Sequence, residues 1–264
     1  MTAPRSAAAS FPSAAVLLPL LFVLGACAGR AATHPRAAEE ILRGYRYVSE
    51  KDLERAEIAF AHALAFDPDL PEALNGLGIV ARTREDVDGA LRRFERAVRI
   101  DPDFAEGHAN LGEALLARGR LDAALRALER ALAIDPDLAD ARQNLARALL
   151  RSGDADPARR PAAWARARRE YLHLLESEPG RAAAHHDLAY MDFVEGRFAR
   201  AESAYRRAAE LAPASHEALH GLCISLVRLG RCAEGARACE ACLAAAPAAG
   251  ACRVSLRGAL ACAE

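Results

Sequence analysis

Between Pro71 and Pro136 the chain repeats itself. PEALNGLGIVARTREDVDGALRRFERAVRIDP is followed by DFAEGHANLGEALLARGRLDAALRALERALAIDP, in register at a period of 34. Leu77-Gly78 recurs as Leu111-Gly112, Ala90 as Ala124, Phe94 as Leu128, Ala97 as Ala131 and Pro102 as Pro136. A fixed period of this size marks stacked units, none of which buries its apolar face alone. Each block carries two apolar stripes at i, i+3/i+4, i+7, so the unit is a pair of amphipathic helices. Small residues (Gly78, Ala90, Ala97) sit where two backbones must approach, and Leu74, Leu77 and Phe94 fill the space between. Asp-Pro ends each second helix, because the residue before proline is pushed out of the helical region. Glu72, Glu106 and Asp140 open the next helix, where the dipole favours negative charge.

The pattern resembles the tetratricopeptide repeat, whose signature is W-x2-L-G-x2-Y, then A-x3-F-x2-A, then P. Its terminating prolines recur at Pro68, Pro102, Pro136, Pro179, Pro213 and Pro247. The predicted fold is therefore all-α, a right-handed superhelical solenoid of six repeats. The repeats are 37–70, 71–104, 105–138, 139–181, 182–215 and 216–249, and 250–264 forms a capping helix. Such arrays stack each unit on its neighbours only, and their ends need caps.

Repeat four is nine residues longer than the others, around Asp154–Ala163. Pro157 and Pro161 predict a surface loop there. Trp164 follows it, beside Arg159, Arg160, Arg166, Arg168 and Arg169. These side chains form either a partner-docking element, since Trp and Arg are enriched at hot spots, or a lid over the repeat 4–5 core with solvated arginines.

The N-terminus reads as an export signal over 1–26. Arg5 precedes an apolar run, Ala14–Leu24, that is too short to span a bilayer and holds Pro19. Leu24-Gly25-Ala26-Cys27 resembles the lipobox of bacterial lipoproteins, which implies lipidation of Cys27 and stable anchoring by several acyl chains. The alternative is a secretory peptide with a chance cysteine. Residues 27–36 then form the lipidated cysteine and a short tether. Ala28 and Gly29 lack the aspartate that retains many such lipoproteins at the inner membrane, so the resemblance places the chain on the periplasmic face of the outer membrane.

A formal net charge of −1 over 264 residues argues against a nucleic-acid partner. No phosphate loop, G-x-S-x-G or H-E-x-x-H motif is present. His185-His186 and His216/His220 have no second ligand set at metal spacing and read as solvated or partner-facing. The sequence predicts no catalytic residue, no metal, no cofactor and no small-molecule substrate.

Beyond Cys27, six cysteines crowd the last 42 residues. Cys239-x-x-Cys242 admits a redox or zinc reading, but it lies within a helix and no second such pair exists. An even count in an exported chain reads as disulfides. Antiparallel helices within repeat six set Cys223 beside Cys239. The second helix running against the cap sets Cys242 by Cys252 and Cys232 by Cys262.

What remains for function is the concave face of the first helices. Its candidate partner-binding residues are Asn75, Ile79, Arg82, Asn110, Glu113, Leu116, Gln143, Asn144, Arg147, Tyr190 and Phe193. Lysine is absent from the first helices and acids stand at Glu72, Glu106 and Asp140, so the cationic clamp that holds chaperone C-termini is missing. A mixed polar and apolar groove suits an extended segment or a partner helix. An anchor, a short tether and six repeats together resemble the pilotins of type IV pilus systems. That resemblance implies a secretin subunit as protein partner and a role in its outer-membrane assembly. A repeat lipoprotein serving a tight-adherence pilus or a peptidoglycan-hydrolase scaffold is the alternative.

Overall fold

A computed structural model describes residues 34–263. The export signal, Cys27 and most of the tether lie outside the described residues, as does the final Glu264. Among the described residues there are thirteen helices and no strand. They pair as α1 (Pro35–Ser49) with α2 (Leu53–Phe66), α3 (Pro71–Thr83) with α4 (Val87–Ile100), and α5 (Ala105–Ala117) with α6 (Leu121–Ile134). Then come α7 (Ala139–Ala155) with α8 (Arg160–Ser177), α9 (Ala182–Val194) with α10 (Phe198–Leu211), and α11 (His216–Arg228) with α12 (Cys232–Ala245). The last helix, α13 (Gly250–Ala263), packs on α11 and α12. No described helix is long and apolar enough to cross a membrane.

Local chemistry sets the helix ends. The Asp52 and Asp86 side chains accept from the backbone N–H of Arg55 and Gly89, satisfying orphan donors of α2 and α4. Each second helix stops one residue before its proline, with Asp67, Asp101, Asp135, Glu178, Ala212 and Ala246 as C-caps. Between the helices of a repeat the chain turns through a left-handed residue. Gly119, Gly196 and Gly230 take this conformation freely, and Lys51 and Glu85 take it at the same repeat position.

Within and between repeats, a large side chain on the second helix rests on a glycine of a first helix. Phe60 is fully buried, and its ring lies so close to Gly44 and Gly76 that a Cβ on Gly76 would stand 2.2 Å from it. Phe94 meets Gly78, Leu128 meets Gly112 and Tyr205 meets Gly221 in the same way. The glycine column lets helices approach, and each buried Phe or Leu contributes about 2–3 kcal/mol of apolar burial.

The expected loop at Asp154–Ala163 is corrected by the structure. α7 runs on to Ala155 and α8 begins at Arg160, so only 156–159 connect them. Pro161 stands in the first turn of α8, where its missing N–H has no helical partner to lose. The extra residues mostly lengthen two helices. Gly153 holds the position that turns in other repeats, but it stays helical and admits the Trp164 ring, whose Cδ1 would lie 2.5 Å from a Cβ there. Trp164 is 2% exposed and donates its indole N–H to the Leu150 carbonyl at 3.2 Å. The lid reading holds for Trp164. The arginines are not simply solvated: Arg166 pairs with Glu129, Arg168 with Asp192 and Arg159 with Asp156, while Arg160 lies over the Trp164 ring.

The lengthened pair changes the next junction. First helices of neighbouring repeats pack directly at α1–α3, α3–α5, α5–α7 and α9–α11, and no comparable contact joins α7 to α9. Buried charge ties this junction alongside the apolar core that runs from Tyr171 and Leu174 to Leu188 and Met191. Asp192 of α9, 6% exposed, accepts from Arg168 of α8 at 2.8 Å and from Arg197 at 2.7 Å. At the C-terminal end, Cys223 is joined to Cys239, Cys232 to Cys262 and Cys242 to Cys252, with Cα separations of 5.3, 5.6 and 6.2 Å.

Candidate functional site: a polar hollow on the inner helices

The 34-residue period puts equivalent side chains of α3, α5 and α7 in neighbouring columns along one face. Their polar members enclose a half-open hollow of about 310 Å³ lined by Arg82, Ala109, Asn110, Glu113, Asp140, Gln143, Asn144 and Arg147. Six of the eleven expected groove residues therefore converge there: Arg82, Asn110, Glu113, Gln143, Asn144 and Arg147.

A chain of hydrogen bonds fixes the floor. The Tyr45 hydroxyl donates to the Glu72 carbonyl at 2.9 Å and accepts from Asn75 Nδ2 at 3.1 Å. Asn75 Oδ1 accepts from Asn110 Nδ2 at 2.9 Å. Burial raises the Tyr45 phenol well above its ordinary pKa, so it stays a neutral hydroxyl in this relay. Asn75 is 3% exposed and lies one rung behind the hollow. The relay spends one N–H of Asn110 and leaves its carbonyl and second N–H for the hollow, beside Asn144.

The charged members are answered within the protein. Arg82 forms an ion pair with Glu113 across the α3–α5 junction. Arg147 lies 4.0 Å from Asp187, which also accepts from the Tyr171 hydroxyl at 2.6 Å. Asp140 accepts from Arg181 at 2.7 Å, and the same guanidinium reaches Gln143 Oε1 at 3.2 Å. No buried side-chain nitrogen or oxygen among the described residues lacks a partner. The hollow thus presents oriented carboxamides between neutralised charges, an arrangement suited to main-chain amides rather than to a free carboxylate.

The remaining expected residues lie elsewhere. Leu116 is a correction: it is 3% exposed and belongs to the central core. Its repeat position is held by Val48, Leu150, Phe193 and Val227 in other repeats, an apolar column that packs between units. It also follows Gly112 by four residues, on the stripe that faces α6. Ile79 is half-buried against the same core. Tyr190 rests on Trp164 with ring centres 6.0 Å apart, and Phe193 meets Phe198 edge-on at 5.4 Å. Neither lines the hollow.

Tyr45 and Arg181 went unnamed in the sequence. Tyr45 occupies the same repeat position as Ile79, Glu113, Arg147 and Tyr190, so the period itself carried that signal. Arg181 carried none, because it reaches the hollow from the turn before α9. The histidines disperse: His185 meets the Pro179 carbonyl, His216 pairs with Glu217 and His220 bonds Ser255. Among the described residues no cluster of three His, Cys, Asp or Glu could hold a metal ion.

The tetratricopeptide-repeat family profile matches residues 75–139 and 109–163. No curated protein matches the chain by sequence. Among solved structures, Pseudomonas aeruginosa PilF aligns with a TM-score of 0.72 at 18% identity, covering 86% of this chain and 97% of that one. PilW, described as a widely conserved type IV pilus biogenesis factor, aligns with a TM-score of 0.71 at 19% identity, over 86% of this chain and 99% of that one. YrrB, described as a protein of this repeat type with an unusual peptide-binding site, aligns with a TM-score of 0.53 at 24% identity, over 70% and 90%. The chain is a tetratricopeptide-repeat solenoid similar in fold to PilF and PilW, proteins that it matches over nearly their whole lengths.

Proposed function

We propose that this protein is an outer-membrane lipoprotein, anchored through Cys27, whose inner face binds an extended segment of a secretin subunit and assists its assembly for a type IV pilus. The observation that carries the reading is the near full-length fold likeness to PilF and PilW. The polar hollow supports protein binding in general. Its carboxamides at Asn110 and Asn144 offer paired donors and acceptors to a peptide main chain, and its guanidinium groups are already engaged. The protein acts as a scaffold, with no chemistry of its own.

The test is capture of a secretin subunit from detergent-solubilised envelope by the anchored protein. Replacing Asn110 and Asn144 with arginine should reduce capture at least tenfold while helical content stays as in the parent, with some loss of melting temperature from the broken bond to Asn75. A matched pair of arginines on the outer helices, at Ala133 and Ala165, should leave capture intact. Equal loss from both pairs sinks the groove. Separately, Cys27→Ser should move the protein out of the outer-membrane fraction, and a variant that still floats with outer-membrane vesicles overturns the anchor.

A further inference from the structure

The three disulfides joining α11, α12 and α13 impose a demand on how the chain matures. In chain order the neighbouring cysteines are Cys223 and Cys232, Cys239 and Cys242, and Cys252 and Cys262. None of these three pairs is bonded in the structure; of all consecutive cysteines only Cys242 and Cys252 are joined to each other. The bonded pairs are separated by 16, 30 and 10 residues. Cys232 lies inside the loop closed by Cys223 and Cys239 while its partner Cys262 lies outside, so two bonds interleave. The Cys242–Cys252 bond nests inside the Cys232–Cys262 loop.

Two physical constraints then conflict. In the unfolded chain, closure probability falls as roughly the 3/2 power of loop length. Cys232 therefore meets Cys223, nine residues away, about six times as often as it meets Cys262. Cys239 and Cys242 stand at the spacing of dithiol redox motifs, and bonding them to each other occupies one sulfur of two native pairs. Early oxidation thus favours wrong bonds. In the folded chain, Cys223, Cys239 and Cys242 are 0% exposed and Cys252 is 1% exposed. A thiol oxidant does not reach them there. Late oxidation is closed off for the Cys223–Cys239 and Cys242–Cys252 pairs, and only Cys262 of the third pair stays exposed.

We infer that this chain is a client of thiol–disulfide exchange: an oxidant alone does not bring it to its native bonds, and a reduced dithiol catalyst must reshuffle bonds formed before the last repeat closes. This rests on the cysteine pairing described above. The balance has two stages. In oxidation, each pair of thiols passes two electrons and two protons to a disulfide-bearing oxidant, which leaves as a dithiol. In exchange, a catalyst thiolate attacks a wrong disulfide, forming a mixed disulfide and freeing one cysteine thiolate. That thiolate attacks a second wrong bond, and the thiolate so released resolves the mixed disulfide. The catalyst leaves reduced, with no net electron transfer. The driving force is packing, because only native pairing lets α11, α12 and α13 bury five of their six cysteines and Ala259 together.

The experiment uses the mature protein purified from membranes. Peptide mapping without reduction first establishes its bonds; free thiols or other pairs there overturn the pairing, and the inference with it. The protein is then reduced, unfolded and refolded in two ways, with diamide as oxidant and no free thiol, or with a mixed reduced and oxidised glutathione buffer. The glutathione arm should yield the three native pairs at least fivefold more than diamide, whose products should be rich in Cys239–Cys242. Equal native yield in both arms overturns the inference. The double variant Cys242→Ser with Cys252→Ser removes the short trap along with one native bond. Its two remaining pairs should form with diamide alone at a yield at least threefold above the parent's. An unchanged yield overturns the role given to the short pair.

Discussion

The array is built differently on the two sides of α8. Upstream, α1 to α6 stack through a glycine column into which Phe60, Phe94 and Leu128 press, and first helix touches first helix at every step. Downstream, α9 meets α8 through apolar contacts at Tyr171, Leu188 and Met191 and through the buried charges of Asp192 and Arg168, with no first-helix packing back to α7 comparable to that upstream. Repeat arrays are held by nearest-neighbour interfaces, so their stability is close to a sum of local terms. An apolar interface gains from area and close packing. A buried ion cluster repays desolvation only while every partner is present. The difference teaches where this solenoid is weakest: the apolar core still runs from Tyr171 and Leu174 of α8 to Leu188 and Met191 of α9, but first helices no longer meet there and buried charge is added to the seam.

The largest expected effect comes from emptying the packed seam. Phe60→Ala removes a ring held between Gly44 and Gly76, and the glycines have no side chains with which to refill the space. The loss should be about 4 kcal/mol in urea unfolding. A loss under about 1.5 kcal/mol would mean that the glycine–aromatic contact is not what holds the upstream half.

The polar seam should break more cheaply and in a different manner. Asp192→Ala takes away the buried one of the two carboxylates that Arg168 and Arg197 share, leaving them the more exposed Glu195. Their side chains are 25% and 36% exposed, so water recovers part of the cost. We expect about 2 kcal/mol. The sharper readout is hydrogen exchange: amides of α9 to α13 should open ahead of those in α1 to α7 in the variant, as a separate cooperative unit. Uniform acceleration along the chain would contradict a division at α8.

How much of this was legible in the sequence follows from which signals are periodic. The helix pairs, their proline stops and the hollow's Asn110–Asn144 and Glu113–Arg147 columns all recur at 34, and a period specifies a face as well as an element. Leu116 was misassigned for the same reason. Its column is apolar in every described repeat except at Arg82, and comparison down the column, rather than along α5, separates packing from groove. The insert misled because proline was weighed as a breaker throughout, whereas in the first turn of a helix it costs no hydrogen bond. Arg181 and Arg168 were invisible as tethers. Their partners are 41 and 24 residues away, at spacings that match no period in the chain.

The smallest effect is the one that separates buried from exposed polar ties at the same seam. Tyr190 of α9 donates to Asp154 near the end of α7, but at 3.4 Å and in partial contact with water. Burial raises the Asp154 carboxyl above its ordinary pKa while Arg160 pulls it down, so even this weak acceptor is only partly desolvated. Tyr190→Phe deletes the hydroxyl and keeps the ring on Trp164. A long, hydrated hydrogen bond exchanged for water should change stability by less than about 0.5 kcal/mol. Hydrogen exchange across α9 should be unaltered in the same sample. If Tyr190→Phe costs as much as Asp192→Ala, the seam is held by the Trp164–Tyr190 side of the junction rather than by the buried carboxylate. The weakness at α8 would then belong to the lengthened helices and not to the buried charge between α8 and α9.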